Sequence, residues 1–172
     1  MVTETVFPMI EVRVSDQPLL VEEVQGKLIH SGWGAEILFL GNVRDWNLGR
    51  PVVAVSYDAF APHAEATLRT ICEEASREWG PKLGMIVHHR TGRLSVGEAS
   101  VIIGVASVHR DEAYEASRYI IEQLKERAAI WKKEHYEDGE SEWLKGHALC
   151  SHAEERIERG AQTDKAESAG SA

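Results

Sequence analysis

The sequence predicts a single-domain α+β fold with a mostly antiparallel sheet and helices packed against it, on three observations. Its 172 residues amount to about one domain. Strand-like and helix-like stretches follow one another in the order β-α-β-β-α-β-β-α. The strands therefore come in neighbouring pairs between helices, which suits antiparallel pairing better than the strict alternation of a doubly wound parallel sheet. An apolar share of 43% with five Trp supplies a core, and a charged share of 27% is that of an ordinary folded chain.

Each element has its own signal. FPMIEVRV, residues 7–14, alternates apolar and polar residues as a half-buried strand does. Asp16 and Pro18 then read as a cap and an early proline opening a helix over LLVEEVQGKLIHSG, which Gly32 and Gly34 end. AEILFL (35–40) is a second strand and runs into the turn-rich loop GNVRDWNLGRP. VVAVSYDA (52–59) is a third. From Pro62, the residues Ala64, Leu68, Ile71, Cys72, Ala75 and Trp79 recur at helical spacing until GPKLG. Residues 85–89 and 99–107 (ASVIIGVAS) are strands joined by the short connection TGRLSVGE. Residues 111–133 are predicted to form one long helix with Ala113, Ala116, Ile120, Leu124 and Trp131 on one side. The domain is expected to span 1–147. The tail, 148–172, ends in GAQTDKAESAGSA without a large apolar residue and is expected to be disordered.

Charge and composition narrow the function. Nineteen Lys and Arg stand against 28 Asp and Glu, a net charge of −9 that disfavours bulk binding to nucleic acid or to an anionic membrane. No apolar run approaches the ~20 residues of a membrane span, and the start lacks a basic stretch followed by an apolar core, so no secretory signal is expected. Cys72 and Cys150 are far apart and outside any CxxC pattern, as in a protein of a reducing compartment with free thiols. An anionic ligand would need a local basic pocket.

Four places offer one. Lys125 and Lys132 are seven apart, so on one straight helix they differ by about 20° in direction and about 10.5 Å in height, with Arg118 a heptad earlier. This is either a positive track or a solvated face tempered by Glu122 and Glu126; spacing alone does not decide. His109 and Arg110 stand where a strand turns into a helix, a place where backbone N–H groups and side-chain donors converge on anions. The plainer alternative is a hydrogen bond to a carbonyl and a surface ion pair. Arg44 lies in a loop shaped by Asn42, Asn47 and Gly49, either a phosphate ligand or a surface charge. His88, His89 and Arg90 end another strand. They lack a partner at metal-ligand spacing and either shape the sheet edge or support the pocket from behind. There is no Gly-rich phosphate loop, nucleophile elbow or carboxylate pair.

LFLGNVRDWNLG, HHRTGRLSVGE, SVHRDEAYEAS and LKERAAIWKKE, in that order, resemble the catalytic (large) subunit family of molybdopterin synthase over roughly residues 35–145. The resemblance implies an α+β fold and a cytoplasmic sulfurtransferase of molybdenum cofactor biosynthesis. Such an enzyme converts cyclic pyranopterin monophosphate to molybdopterin by installing a dithiolene. The sulfur comes from a ubiquitin-like small subunit bearing a C-terminal Gly-Gly thiocarboxylate, within a heterotetramer built on a homodimer of the large subunit. It further implies Lys125 and Lys132 as catalytic residues, and Asn42, Val43, Arg44, His109, Arg110, Lys133 and Glu134 as substrate-binding residues. No metal, cofactor, nucleic acid or membrane partner is implied.

The chain departs from the family pattern in three places. Ala129 stands where proline is common, so the long helix is expected to run on straighter; His63 stands near a usual methionine; and Lys145 and His147 both fit a late basic position. In chemical terms, Arg44, Arg110 and His109 would stabilise the phosphate released on ring opening. A lysine among other cations would keep a neutral, reactive fraction. The alternative from another class is a non-catalytic docking module for a ubiquitin-like partner; a phosphate-ester enzyme is disfavoured by the lack of metal-ligand carboxylate spacing.

Overall fold

The structure, a computed structural model, describes residues 7–139 and 141–143. Two sheets organise it. The first has the order β1-β5-β7-β2, built from β1 (Met9–Ser15), β2 (Ala35–Asn42), β5 (Gly84–Arg90) and β7 (Ala99–Ser107). β2 and β5 both run antiparallel to β7, while β1 lies parallel to β5 at the edge. The α+β expectation holds, with this one parallel pair added.

The central strands β5 and β7 are buried almost throughout because helices cover both faces, which is why ASVIIGVAS reads as an unbroken apolar run. On one face lie α2 (Ala61–Trp79) and α3 (Arg110–Arg127), closing the main core around Leu68, Ile71, Met85, Ile103, Ile120 and Leu124. On the other lies α1 (Val21–Lys27), which packs Val24 and Leu28 on Ile86, Ile102 and Ala106. Gly104 makes that seat possible. A Cβ there would come within 2.6 Å of Leu28 Cδ1 and 2.7 Å of Val24 Cγ1.

α1 starts later than the sequence suggested. Its N-cap is Leu20, with no side-chain cap, and Glu22 and Glu23 supply the negative charge its first turn favours. Asp16 is occupied elsewhere, accepting a hydrogen bond from Gln17 Nε2 at 2.8 Å.

Of the second sheet, the element order read from sequence contained only the strand over 52–59. That sheet follows β3 (Trp46–Asn47), β4 (Arg50–Ala59), β8 (Ile130–Tyr136) and β9 (Ser141–Trp143), with β6 (Gly92–Ser95) pairing β4. β6 is the connection TGRLSVGE, drawn into a strand. β8 corrects the largest misreading, the helix over 111–133. The helix stops at Arg127, Ala128 turns extended at φ −72 and ψ 130, and the chain enters a strand antiparallel to β4. Ala129 does not prolong the helix; the break occurs without a proline.

Candidate active site

β3 and β4 form a hairpin whose two turn residues, Leu48 and Gly49, have φ of 48° and 76°. A two-residue turn with both residues left-handed matches the twist of the strands it joins. Glycine adopts that conformation freely, whereas leucine does so at a cost of about 1 kcal/mol or more. The hairpin sets Asn47 against β8. Across β4, Tyr57 stands opposite Lys132 and Val55 opposite Glu134, so strand alternation sends these four side chains to one face. With Asn42, Val43, Arg44 and Trp46 they line an open cleft.

Glu134 is the centre of this cleft. Its side chain is 1% exposed, and both carboxylate oxygens are used. Lys132 Nζ donates to Oε1 at 2.6 Å; Asn47 Nδ2 and the Tyr136 hydroxyl donate to Oε2, each at 2.8 Å. Burial by itself would raise the Glu134 pKa. The hydrogen bond and charge of Lys132, with the hydrogen bonds of Asn47 and Tyr136, outweigh it and hold the carboxyl below its usual range. Arg44 Nη2 reaches Asn47 Oδ1 at 3.4 Å. Tyr136 is held in turn by Arg50, whose guanidinium lies 3.8 Å from the ring centroid and also pairs with Asp138 at 2.7 Å.

His89 supports the cleft from behind. It is buried, its Nδ1–H donates to the Arg90 carbonyl at 3.0 Å, and its ring meets Tyr57 edge-on at 5.0 Å. His88 points to the other face of the sheet. Arg13 donates to His88 Nδ1 at 3.1 Å, so the proton sits on Nε2, which donates to Glu11 at 2.8 Å. Glu11, Glu23 and His88 cluster closely enough to suggest a metal site. Arg13 and Lys27, however, already occupy the two carboxylates, Arg13 on Glu23 and Lys27 on both, as in an ion-pair network.

The site residues named from sequence therefore divide. Asn42, Val43, Arg44, Lys132 and Glu134 come together in the cleft. Lys125 lies in the last turn of α3, not on a stripe shared with Lys132. α3 starts at the end of β7 marked by Ser107 and runs back about 27 Å along the sheet, so Lys125 returns to the end where Asn42 pairs with Ala99. Lys133 is on the opposite face of β8, with Nζ 5.6 Å from the Trp143 ring centroid. Arg118 is exposed and pairs with Glu122 at 3.6 Å.

His109 and Arg110 are not brought to the cleft of their own chain. They follow Ser107, which pairs with Ala35, whereas the cleft sits at Asn42 and Ala99, roughly 26 Å away along the strands. Arg110 is exposed there and pairs with Asp111 at 3.7 Å; Ser107 Oγ donates to the His109 carbonyl. Lys145, His147, Cys150 and the tail lie outside the described residues. Sequence reasoning missed Tyr57, Tyr136 and the anchoring role of Asn47; only the strand alternation of β4 and β8 would have pointed to them.

In chemical terms the cleft offers a guanidinium and an ammonium at its mouth, with a buried carboxylate fixing the ammonium in place. That arrangement suits an anionic ligand.

The model of the MoaE protein family matches residues 14–127. The molybdopterin synthase catalytic subunit of Synechococcus elongatus is 48% identical over 128 residues, 74% of this chain and 78% of the relative. The solved molybdopterin synthase of Staphylococcus aureus superposes with a TM-score of 0.71 at 36% identity, covering 83% of this chain and 99% of the other. A complex of subunits 1 and 2 of the Helicobacter pylori molybdopterin-converting factor shares the fold, with a TM-score of 0.63 at 19% identity over 79% of this chain and 90% of that one. With two thirds of its length matched by the family model and close relatives of the same name, the chain belongs to the MoaE family of molybdopterin synthase catalytic subunits.

Proposed function

We propose that the chain transfers sulfur from a thiocarboxylated ubiquitin-like small subunit to cyclic pyranopterin monophosphate, in the cytoplasm, to form the dithiolene of molybdopterin. The observation that carries this is the Lys132–Glu134 pair set beside Arg44 in an open cleft. Arg44 holds the phosphate. Lys132, fixed by Glu134, binds the substrate or transfers a proton as the cyclic phosphate opens. Lys125, arriving from the end of α3, meets the carbonyl of the partner's terminus. Each thiocarboxylate gives up one sulfur and leaves as a carboxylate, with water supplying the oxygen, so two partner molecules serve each dithiolene.

His109 and Arg110 enter this scheme from a second copy. β2 is a terminal strand of the first sheet, with Ile37, Leu38 and Phe39 half-buried and Leu40 38% exposed. Its two ends carry Asn42 and, through β7, His109. Antiparallel pairing of β2 with its own copy sets each end against the opposite one. The test is incubation of the purified chain with thiocarboxylated small subunit and substrate, followed by mass detection of the dithiolene product. Partner binding without product would leave a docking module.

A further inference from the structure

The motif HHRTGRLSVGE (88–98) contributes no residue to the cleft lining, yet its two ends close an ion pair just behind it. Arg90 ends β5 with its side chain only 17% exposed. Its Nη1 donates to Glu98 Oε1 at 2.8 Å and its Nε to the Asp16 carbonyl at 3.3 Å. The other oxygen, Glu98 Oε2, accepts the Ser95 N–H at 2.7 Å, while the Glu98 N–H donates to the Ser95 carbonyl at 3.1 Å. One carboxylate therefore closes the turn between β6 and β7 and moors it to the end of β5. That turn grips Val43. The Val43 N–H donates to the Glu98 carbonyl at 2.9 Å, and the Val43 carbonyl accepts the Gly97 N–H at 2.8 Å. Leu94, from the same motif, packs in one cluster with Val43, Val52, Val55 and Tyr136. Residues 43–45 have no regular structure; they link β2 to β3 and carry Arg44.

We propose that Arg90 and Glu98 are positioning residues for the substrate's phosphate: their ion pair fixes the turn that grips Val43, and so sets where the Arg44 guanidinium stands in the cleft. This rests on the function proposed above, in which Arg44 holds the phosphate. A long side chain on an irregular link loses freedom when it binds an anion, and a link pinned beforehand leaves less to lose. Asn47, at 3.4 Å, restrains the head of Arg44. The 95–98 turn restrains its root through Val43. An exposed ion pair between two mobile side chains would contribute little to such an arrangement. Arg90 is instead largely buried and joins two separate segments, and the second oxygen of its partner is committed to the backbone.

Glu98→Ala removes the carboxylate at a side chain that is 41% exposed, so the fold should survive the change. In the ligand-free chain, hydrogen exchange should rise about tenfold at the Val43 and Gly97 amides and keep the parent's rate at Ile103 in the core of β7. Calorimetry with cyclic pyranopterin monophosphate should show binding about tenfold weaker at unchanged stoichiometry. Partial unfolding would instead lower the stoichiometry and leave the affinity alone. Arg90→Gln should repeat both results. In an Arg44→Ala background, neither change should weaken binding by more than a further twofold, because positioning has no object once the guanidinium is gone. Full additivity with Arg44→Ala overturns the proposal. So does parental affinity in either single variant while the unaltered chain binds substrate, or exchange that rises equally at Val43 and Ile103. Failure of the unaltered chain to bind the substrate at all overturns the functional reading as well, which sets that failure apart from the others.

Discussion

Lys132 and Glu134 sit two residues apart on one strand, and each determines what the other can do. Replacing Lys132 with Ala leaves the Glu134 carboxylate buried with two neutral donors and no cation, which should cost about 1–3 kcal/mol of stability, read as a lower denaturation midpoint. Lys125→Ala should leave stability nearly unchanged and remove turnover while substrate still binds, a split that calorimetry and single-turnover assays resolve. Arg44→Ala and Arg110→Ala should each weaken substrate binding by about 1.5–3 kcal/mol, the range of a charge-assisted hydrogen bond. If both bind substrate normally while Lys125→Ala does not, the roles are reversed.

The buried histidines make stability depend on pH in a defined direction. Burial lowers the His89 pKa from 6.5 to about 4, and that of His88 is lowered as well. For His88, burial and the facing Arg13 outweigh the opposing pull of Glu11 and Glu23. A depressed histidine pKa means the unfolded chain binds the proton more readily. The stability involved is intact above pH 6.5 and falls as the pH drops from there toward 4. His89 accounts for about 3 kcal/mol across that window. Denaturant titrations at several pH values should show this decline, and His89→Gln should flatten it.

At the scale of elements, the legibility of the fold followed from what faces inward. β5 and β7 were readable because both faces bury apolar side chains. β8 was not, because the residues it turns toward the site include Lys132 and Glu134, so its period of two is absent from the hydrophobic pattern although Ile130, Glu134 and Tyr136 are all buried. Seven-residue spacing between the lysines then fitted a helix by coincidence. The motif resemblance assigns both to one site, whereas their placement on a helix end and on a strand was not legible. Gly104 is a further element-scale constraint. Gly104→Ala should push α1 off the sheet and cost about 1–3 kcal/mol, with hydrogen exchange rising first in residues 21–28.

For the whole molecule, the separation of His109 and Arg110 from the cleft predicts an outcome that a monomeric site cannot give. Take one variant carrying Arg44→Ala and another carrying Arg110→Ala, each nearly inactive alone. If each site joins the cleft of one copy to the His109–Arg110 pair of the other, a mixed dimer holds one site with both defects and one with neither. Random reassembly of equal amounts makes half the dimers mixed, so activity should recover to about a quarter of the unaltered level. If every site is built from one chain, each retains its single defect and mixing restores nothing. Light scattering of the isolated chain supplies the control, since a dimer mass must accompany the recovery. Recovery without a dimer, or a dimer without recovery, would remove the second copy from the site.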